Sequence, residues 1–178
     1  MTDRHAPACF HTTRRNLLRA GAAASLAAAA GLAPSAARAG GKVEALLLSC
    51  MDFRLMDDVE RFMSGPLSLR NNYDHVVLAG ASLGAVTDRY PAWNETFWGH
   101  LDVAIQLHGI HRVVVLDHRD CGAYRVILGK DLAGDPAEER KVHAAQAQAL
   151  RAKILEKHPK LDVDLGLMAL DGSVETID

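Results

Sequence analysis

Four short apolar runs decide what this chain can fold into: residues 43–49 (VEALLLS), 75–79 (HVVLA), 112–117 (RVVVLD) and 163–170 (VDLGLMAL). Each has the length of a strand, and the middle two are rich in β-branched Val. Their apolar character does not alternate, so both faces of the resulting sheet need cover. Helical patterns lie between them. Residues 55–63 form one; residues 94–108 carry Phe97, Leu101, Ala104 and Ile105 on one face; residues 137–157 carry Val142, Ala145, Ala149, Ala152 and Leu155 at helical spacing and are closed by Pro159. Strands alternating with helices predict an α/β fold, a mostly parallel β-sheet flanked by helices. Sites in such sheets form beyond the carboxyl ends of the strands.

Ahead of this pattern, Thr13-Arg14-Arg15-Asn16-Leu17-Leu18-Arg19 leads into an Ala-dominated run, and Ala37-Arg38-Ala39 offers a small-residue cleavage site. Residues 1–39 therefore read as a twin-arginine signal peptide. The run is short and weakly hydrophobic for a span, and no second apolar run of about 18 residues follows it. The expectation is a periplasmic protein without a stable membrane anchor, delivered by the twin-arginine translocase. Residues 40–178 are then a single domain with one modest core. The chain has 20 Lys and Arg against 22 Asp and Glu; the leader takes five Arg and one Asp, leaving 15 basic against 21 acidic residues. That balance argues against nucleic acid as a partner. Cys9 departs with the leader, so Cys50 and Cys121 remain, and in an oxidising compartment a disulfide is the first reading of such a pair.

The spacing around those cysteines offers another reading. Cys50, Asp52 and Arg54 stand on alternate residues just past the first strand, where extended backbone aims all three into one volume. Past the third strand, Asp117 to Tyr124 (DHRDCGAY) sets His118 and Cys121 three residues apart, with Gly122 expected to permit a tight turn. If the two strands are neighbours, Cys50, His118 and Cys121 converge. Two thiolates and an imidazole suit zinc and leave one tetrahedral position open, as in a catalytic site. The plainer alternative is a buried small Cys50 beside a loop ion pair of Asp52 and Arg54.

Cys-x-Asp-x-Arg followed by His-x-x-Cys-Gly, each after an apolar strand, resembles the beta-class carbonic anhydrases. The similarity runs on through HLDVAIQLHGIHRVVVLDHRDCGAY and covers most of residues 43–128. The resemblance implies a beta-carbonic-anhydrase-like fold, Cys50, His118 and Cys121 as zinc ligands, and Asp52 with Arg54 as a catalytic dyad. It implies reversible hydration of carbon dioxide to bicarbonate and a proton. Zinc would lower the pKa of bound water to about 7, Asp52 would orient that water, and Arg54 would hold Asp52 ionised. In some members the aspartate instead binds zinc and closes the site. The family also implies a homodimer or a multiple of dimers. Leu78-Ala79-Gly80-Ala81-Ser82 replaces the family's Arg-Asn-Ala-Gly-Asn, which predicts an altered pocket. The chain left after the leader begins almost at the first strand, without the helical arm that larger members wrap around a partner. The same ligands would serve a hydrolase of carbonyl sulfide or carbon disulfide, or a non-catalytic zinc-binding module. His75, His100, His108, His111, His143 and His158 read as surface or helix-face residues, and Trp93, Phe97 and Trp98 as core or subunit contact. Asp131, Asp135, Glu138 and Glu139 read as a solvated loop and first helical turn.

Overall fold

The computed structural model describes residues 41–177, so the expected export signal lies outside the described residues. Within them, β1 (Ala45–Ser49), β2 (Tyr73–Val77), β3 (Arg112–His118), β4 (Asp162–Met168) and β5 (Val174–Thr176) form one sheet in the order β2-β1-β3-β4-β5. The first four strands run parallel, and β5 returns antiparallel against β4. The helices are α1 (Met56–Ser64), α2 (Ala81–Val86), α3 (Pro91–His108), α4 (Gly122–Leu128) and α5 (Pro136–Lys157). The expected α/β architecture is the one that forms.

The order of strands explains where a site arises. The chain steps from β1 to β2 on one side, then places β3 on the other side of β1. That reversal opens a crevice at the carboxyl ends of β1 and β3. Their register pairs Ser49 with Leu116, so Cys50 and His118 leave the sheet at nearly the same level.

Alternation along the strands divides the core into two layers. On one face Leu46, Leu48, Val113, Val115, Val163 and Leu165 pack with Phe97 and Leu101 of α3 and with Ala147, Leu150 and Ile154 of α5. On the other, Ala45, Leu47, Val114, Leu116 and Met168 meet Leu55, Val59 and Met63. Among the described residues, α1 and the 3-10 turn Phe53–Leu55 that leads into it are the helical cover of this second layer. At roughly 1.5–3 kcal/mol for each fully buried large apolar side chain, both layers stabilise the fold, but the second relies on fewer groups.

Local chemistry sets the ends of these elements. Asp135 caps α5 by accepting from the Ala137 and Glu138 amides, with Pro136 in the first turn. β2 starts and stops two residues earlier than its apolar run, because the chain turns at Gly80 (φ 77°) and Ala81 (φ 37°) into α2. The short helices α2 and α4 and the strand β5 were not expected. The inward face of α5 also differs from the predicted one. Glu139, His143, Ala147, Leu150 and Ile154 face the core, while Ala145, Ala149 and Ala152 are exposed. Two polar residues on the buried face disguised its period.

Candidate metal centre

Cys50 follows β1, His118 ends β3, and Cys121 caps the start of α4. Their Sγ, ring nitrogen and Sγ atoms all lie within 4.8 Å of one another, and all three residues are buried. The two sulfurs are 3.8 Å apart and both cysteines are free, so the disulfide reading does not describe this structure. Zn–S bonds of 2.3 Å at a tetrahedral angle separate two sulfurs by about 3.8 Å. The pair thus has the spacing such an ion requires.

His118 is set for the same task. Its Nδ1–H donates to the Arg119 carbonyl at 2.8 Å, which leaves Nε2 as the lone-pair nitrogen. That Nε2 is buried without a hydrogen-bond partner among the described residues. The thiols divide their charge unequally. A hydrogen bond from Cys121, aided by His118 when its ring is protonated and by the Gly80 amide at 3.3 Å, holds Cys50 well below the usual thiol range despite burial. Hydrogen bonding to Cys50, then burial, pushes Cys121 up. One thiolate forms readily and its charge opposes the second; a divalent cation between them removes that conflict.

Asp52 and Arg54 form a forked pair. Arg54 donates from Nε to Oδ1 at 3.0 Å and from Nη2 to Oδ2 at 2.8 Å, and its amide also reaches Oδ1 at 3.0 Å. These hydrogen bonds hold the Asp52 carboxyl below its ordinary value. Asp52 Oδ2 stands 3.8 Å from His118 Nε2, at the edge of the donor cluster. Arg54 reaches further than the sequence implied. It also donates from Nη1 to Asp120 Oδ2 at 2.8 Å and from Nη2 to the Asp120 carbonyl at 2.9 Å. An acidic residue between His118 and Cys121 was the only signal for this contact in the sequence.

The turn between His118 and Cys121 belongs to Asp120, with φ of 52°, and not to Gly122, where an added Cβ would meet nothing within 4 Å. Glu139 accepts from the Asp120 amide at 2.6 Å and from Arg119 Nη1 at 3.0 Å. Its expected place in a solvated first turn is therefore wrong: it is 3% exposed, braced under the loop that carries the donors.

A cavity of about 760 Å³, counted to its open mouth, adjoins Cys50 and Asp52 and is walled by Phe53, Tyr90, Trp93, Val126 and others. Tyr90 and Trp93 stack at 4.1 Å between ring centroids. Of the altered stretch, Ala79 lines this cavity, Gly80 supports Cys50, and Ser82 turns away into the core. Behind the donors lies a buried polar group around Asp117. It accepts from the Ser82 amide (2.9 Å), Ser82 Oγ (2.6 Å), Tyr124 Oη (2.7 Å) and His143 Nδ1 (3.0 Å). His143, expected at a surface or helix face, is fully buried here. Burial, then the Asp117 charge, keeps the Tyr124 hydroxyl protonated far into the alkaline range.

A mostly parallel sheet that brings Cys, His and Cys together at its switch point makes this an α/β protein with a buried three-residue cluster that could hold a metal ion. Residues 41–171 match the family described as "Putative carbonic anhydrase", and the chain belongs to that family. An uncharacterized protein of Rickettsia conorii is 42% identical over 132 residues, spanning 74% of this chain and 70% of its own. One from Rickettsia bellii is 38% identical over 132 residues, 74% of this chain and 80% of its own. Among solved structures, a carbonic anhydrase from Glaciozyma antarctica shares the fold with a TM-score of 0.50 at 16% identity, over 81% of this chain and 87% of that one. A mutant of the beta-carbonic anhydrase CafD from Aspergillus fumigatus does so with a TM-score of 0.52 at 15% identity, over 82% and 93%.

Proposed function

We propose that this protein is a zinc-dependent carbonic anhydrase, interconverting carbon dioxide and bicarbonate with release or uptake of a proton. The observation that carries the reading is the convergence of Cys50, His118 and Cys121 within 4.8 Å, with the Asp52 carboxylate at their edge. Zinc bound there would supply hydroxide at neutral pH by lowering the pKa of water to about 7. Asp52 would accept a hydrogen bond from the attacking water and so orient it toward carbon. Arg54 grips both Asp52 oxygens, keeping the carboxylate ionised and turned away from duty as a ligand, which favours an open resting site. Asp120 holds the far side of the guanidinium. The apolar cavity wall accepts a small, linear, nonpolar substrate.

Metal analysis of the purified protein with stopped-flow hydration of carbon dioxide tests this. About one zinc per chain and hydration above background support it, and zinc-loaded protein at the background rate makes it a non-catalytic zinc-binding module. One observation favours a second substrate. The mouth is lined by Tyr90, Trp93 and Val126, and Ala79 contributes no polar group, which suits carbonyl sulfide or carbon disulfide. Turnover of the three substrates side by side separates the readings.

Two further parts of the proposal concern the protein's setting. Met51, Phe53 and Val126 expose 62%, 85% and 58% of their surface around the cavity. An apolar rim of that kind calls for cover, and we assign it to a second copy in a homodimer or multiple of dimers, to be checked by light scattering. The twin-arginine leader would deliver the protein folded to the periplasm, with zinc loaded before export.

A further inference from the structure

We propose that the buried group of Asp117, Ser82, Tyr124 and His143 is a positioning device that aims all three metal donors at once, with His143 as its anchor. The inference rests on reading Cys50, His118 and Cys121 as a metal centre.

The argument begins with strand geometry. Adjacent residues of a strand point to opposite faces. Asp117 faces the layer of α2 and α5, where Ser82 and His143 meet it, and the neighbouring His118 points the other way. Pinning the Asp117 carboxylate therefore fixes the roll of the last residues of β3, and with it the direction of the His118 ring. The other two arms work at similar range. Tyr124 stands three residues beyond Cys121 in the first turn of α4, so its hydroxyl, 2.7 Å from Asp117, fixes the start of the helix that Cys121 caps. Ser82 stands two residues beyond Gly80, whose amide donates to Cys50 Sγ at 3.3 Å. Each of the three donor residues is thus tied within a few residues to one carboxylate.

His143 reaches the group from α5, which carries none of the three metal donors. It holds Asp117 through Nδ1 at 3.0 Å and stacks on Tyr124 with 3.8 Å between ring centroids. Its Nε2 is buried and has no partner among the described residues. A buried polar atom left unpaired costs stability, and an apolar residue of similar size would avoid that cost. The unpaired Nε2 is thus the cost of a histidine here, and the Nδ1–H that it directs at the buried Asp117 carboxylate is what offsets it.

Cobalt(II) exchanged into the full-length protein gives a test that reads the centre's geometry as well as its affinity. His143→Leu removes the hydrogen-bond donor and leaves an apolar side chain of similar volume against Tyr124. His143→Asn places an amide N–H where Nδ1–H stands. His143→Leu should weaken cobalt binding by roughly 10- to 100-fold and shift the cobalt absorption bands, and His143→Asn should recover most of both. Tyr124→Phe should move the bands in the same direction and decides the matter if His143→Leu does not fold. Wild-type affinity and bands in folded His143→Leu, or in Tyr124→Phe should it be needed, overturn the proposal. An Asn variant no better than Leu overturns it too, since packing alone would then be at stake. Wild-type protein that takes up no cobalt overturns the metal-centre reading along with this one; wild-type binding with unmoved variants overturns this one alone.

Discussion

Replacing Asp52 by Asn keeps the shape of the side chain and leaves Cys50, His118 and Cys121 in place, but it removes the anion that Arg54 holds through Nε and Nη2. Zinc content and melting temperature should stay near wild type, and carbon dioxide hydration should fall by roughly 10²–10⁴-fold, as for a lost orienting or acid–base group. Equal rates in the two proteins would make the dyad structural. Arg54→Ala is the harsher change, because the same guanidinium also secures Asp120 by its carboxylate and its carbonyl. Hydration should fall at least as far as in Asp52→Asn, and the loop before Cys121 should loosen, visible as faster amide hydrogen exchange at residues 119–121. Unchanged exchange there would mean that Glu139 and the Arg119 amide's bond to the Met168 carbonyl hold the loop without Arg54.

At the scale of elements, the two faces of the sheet are unequally protected. α1 covers the second face largely through Val59 and Met63, the latter fully buried. Met63→Ala should cost about 2–5 kcal/mol, measured by urea unfolding; a loss under about 1 kcal/mol would mean that the layer repacks or that α1 matters little. The strands were legible from the chain because unbroken runs of Val and Leu leave few alternatives. The helix α3 was legible because Phe97, Leu101 and Ala104 keep its period. α5 was misread, since its buried face carries Glu139 and His143, whose reasons for being inside are Asp120 and Asp117 on other elements. α2 and α4 are too short to show a period. The donors were legible from residue type and spacing, whereas their supports depend on partners that only the folded chain assembles.

For the molecule as a whole, if zinc is bound as proposed, its chelation should lower the melting temperature, because the thiol pair and the buried His118 Nε2 would lose the group that reconciles them; an unchanged melting temperature in zinc-loaded protein would show that the centre contributes nothing to the fold. Replacing Arg14 and Arg15 by Lys should leave the precursor unexported, and normal periplasmic accumulation of that variant would refute the export proposal. A last consequence follows from the chain distance between the donors. Cys50 and Cys121 are 71 residues apart yet sit at the ends of neighbouring central strands. In the unfolded chain a segment of that length spans on the order of 45 Å, so the pocket does not exist until β1 and β3 have paired. Fraying at either terminus cannot part them. If the site holds zinc as proposed, release that accompanies opening of the sheet should rise with urea along the unfolding limb, whereas release from folded protein that grows with chelator concentration would show that a chelator reaches the ion through the open cavity beside Cys50.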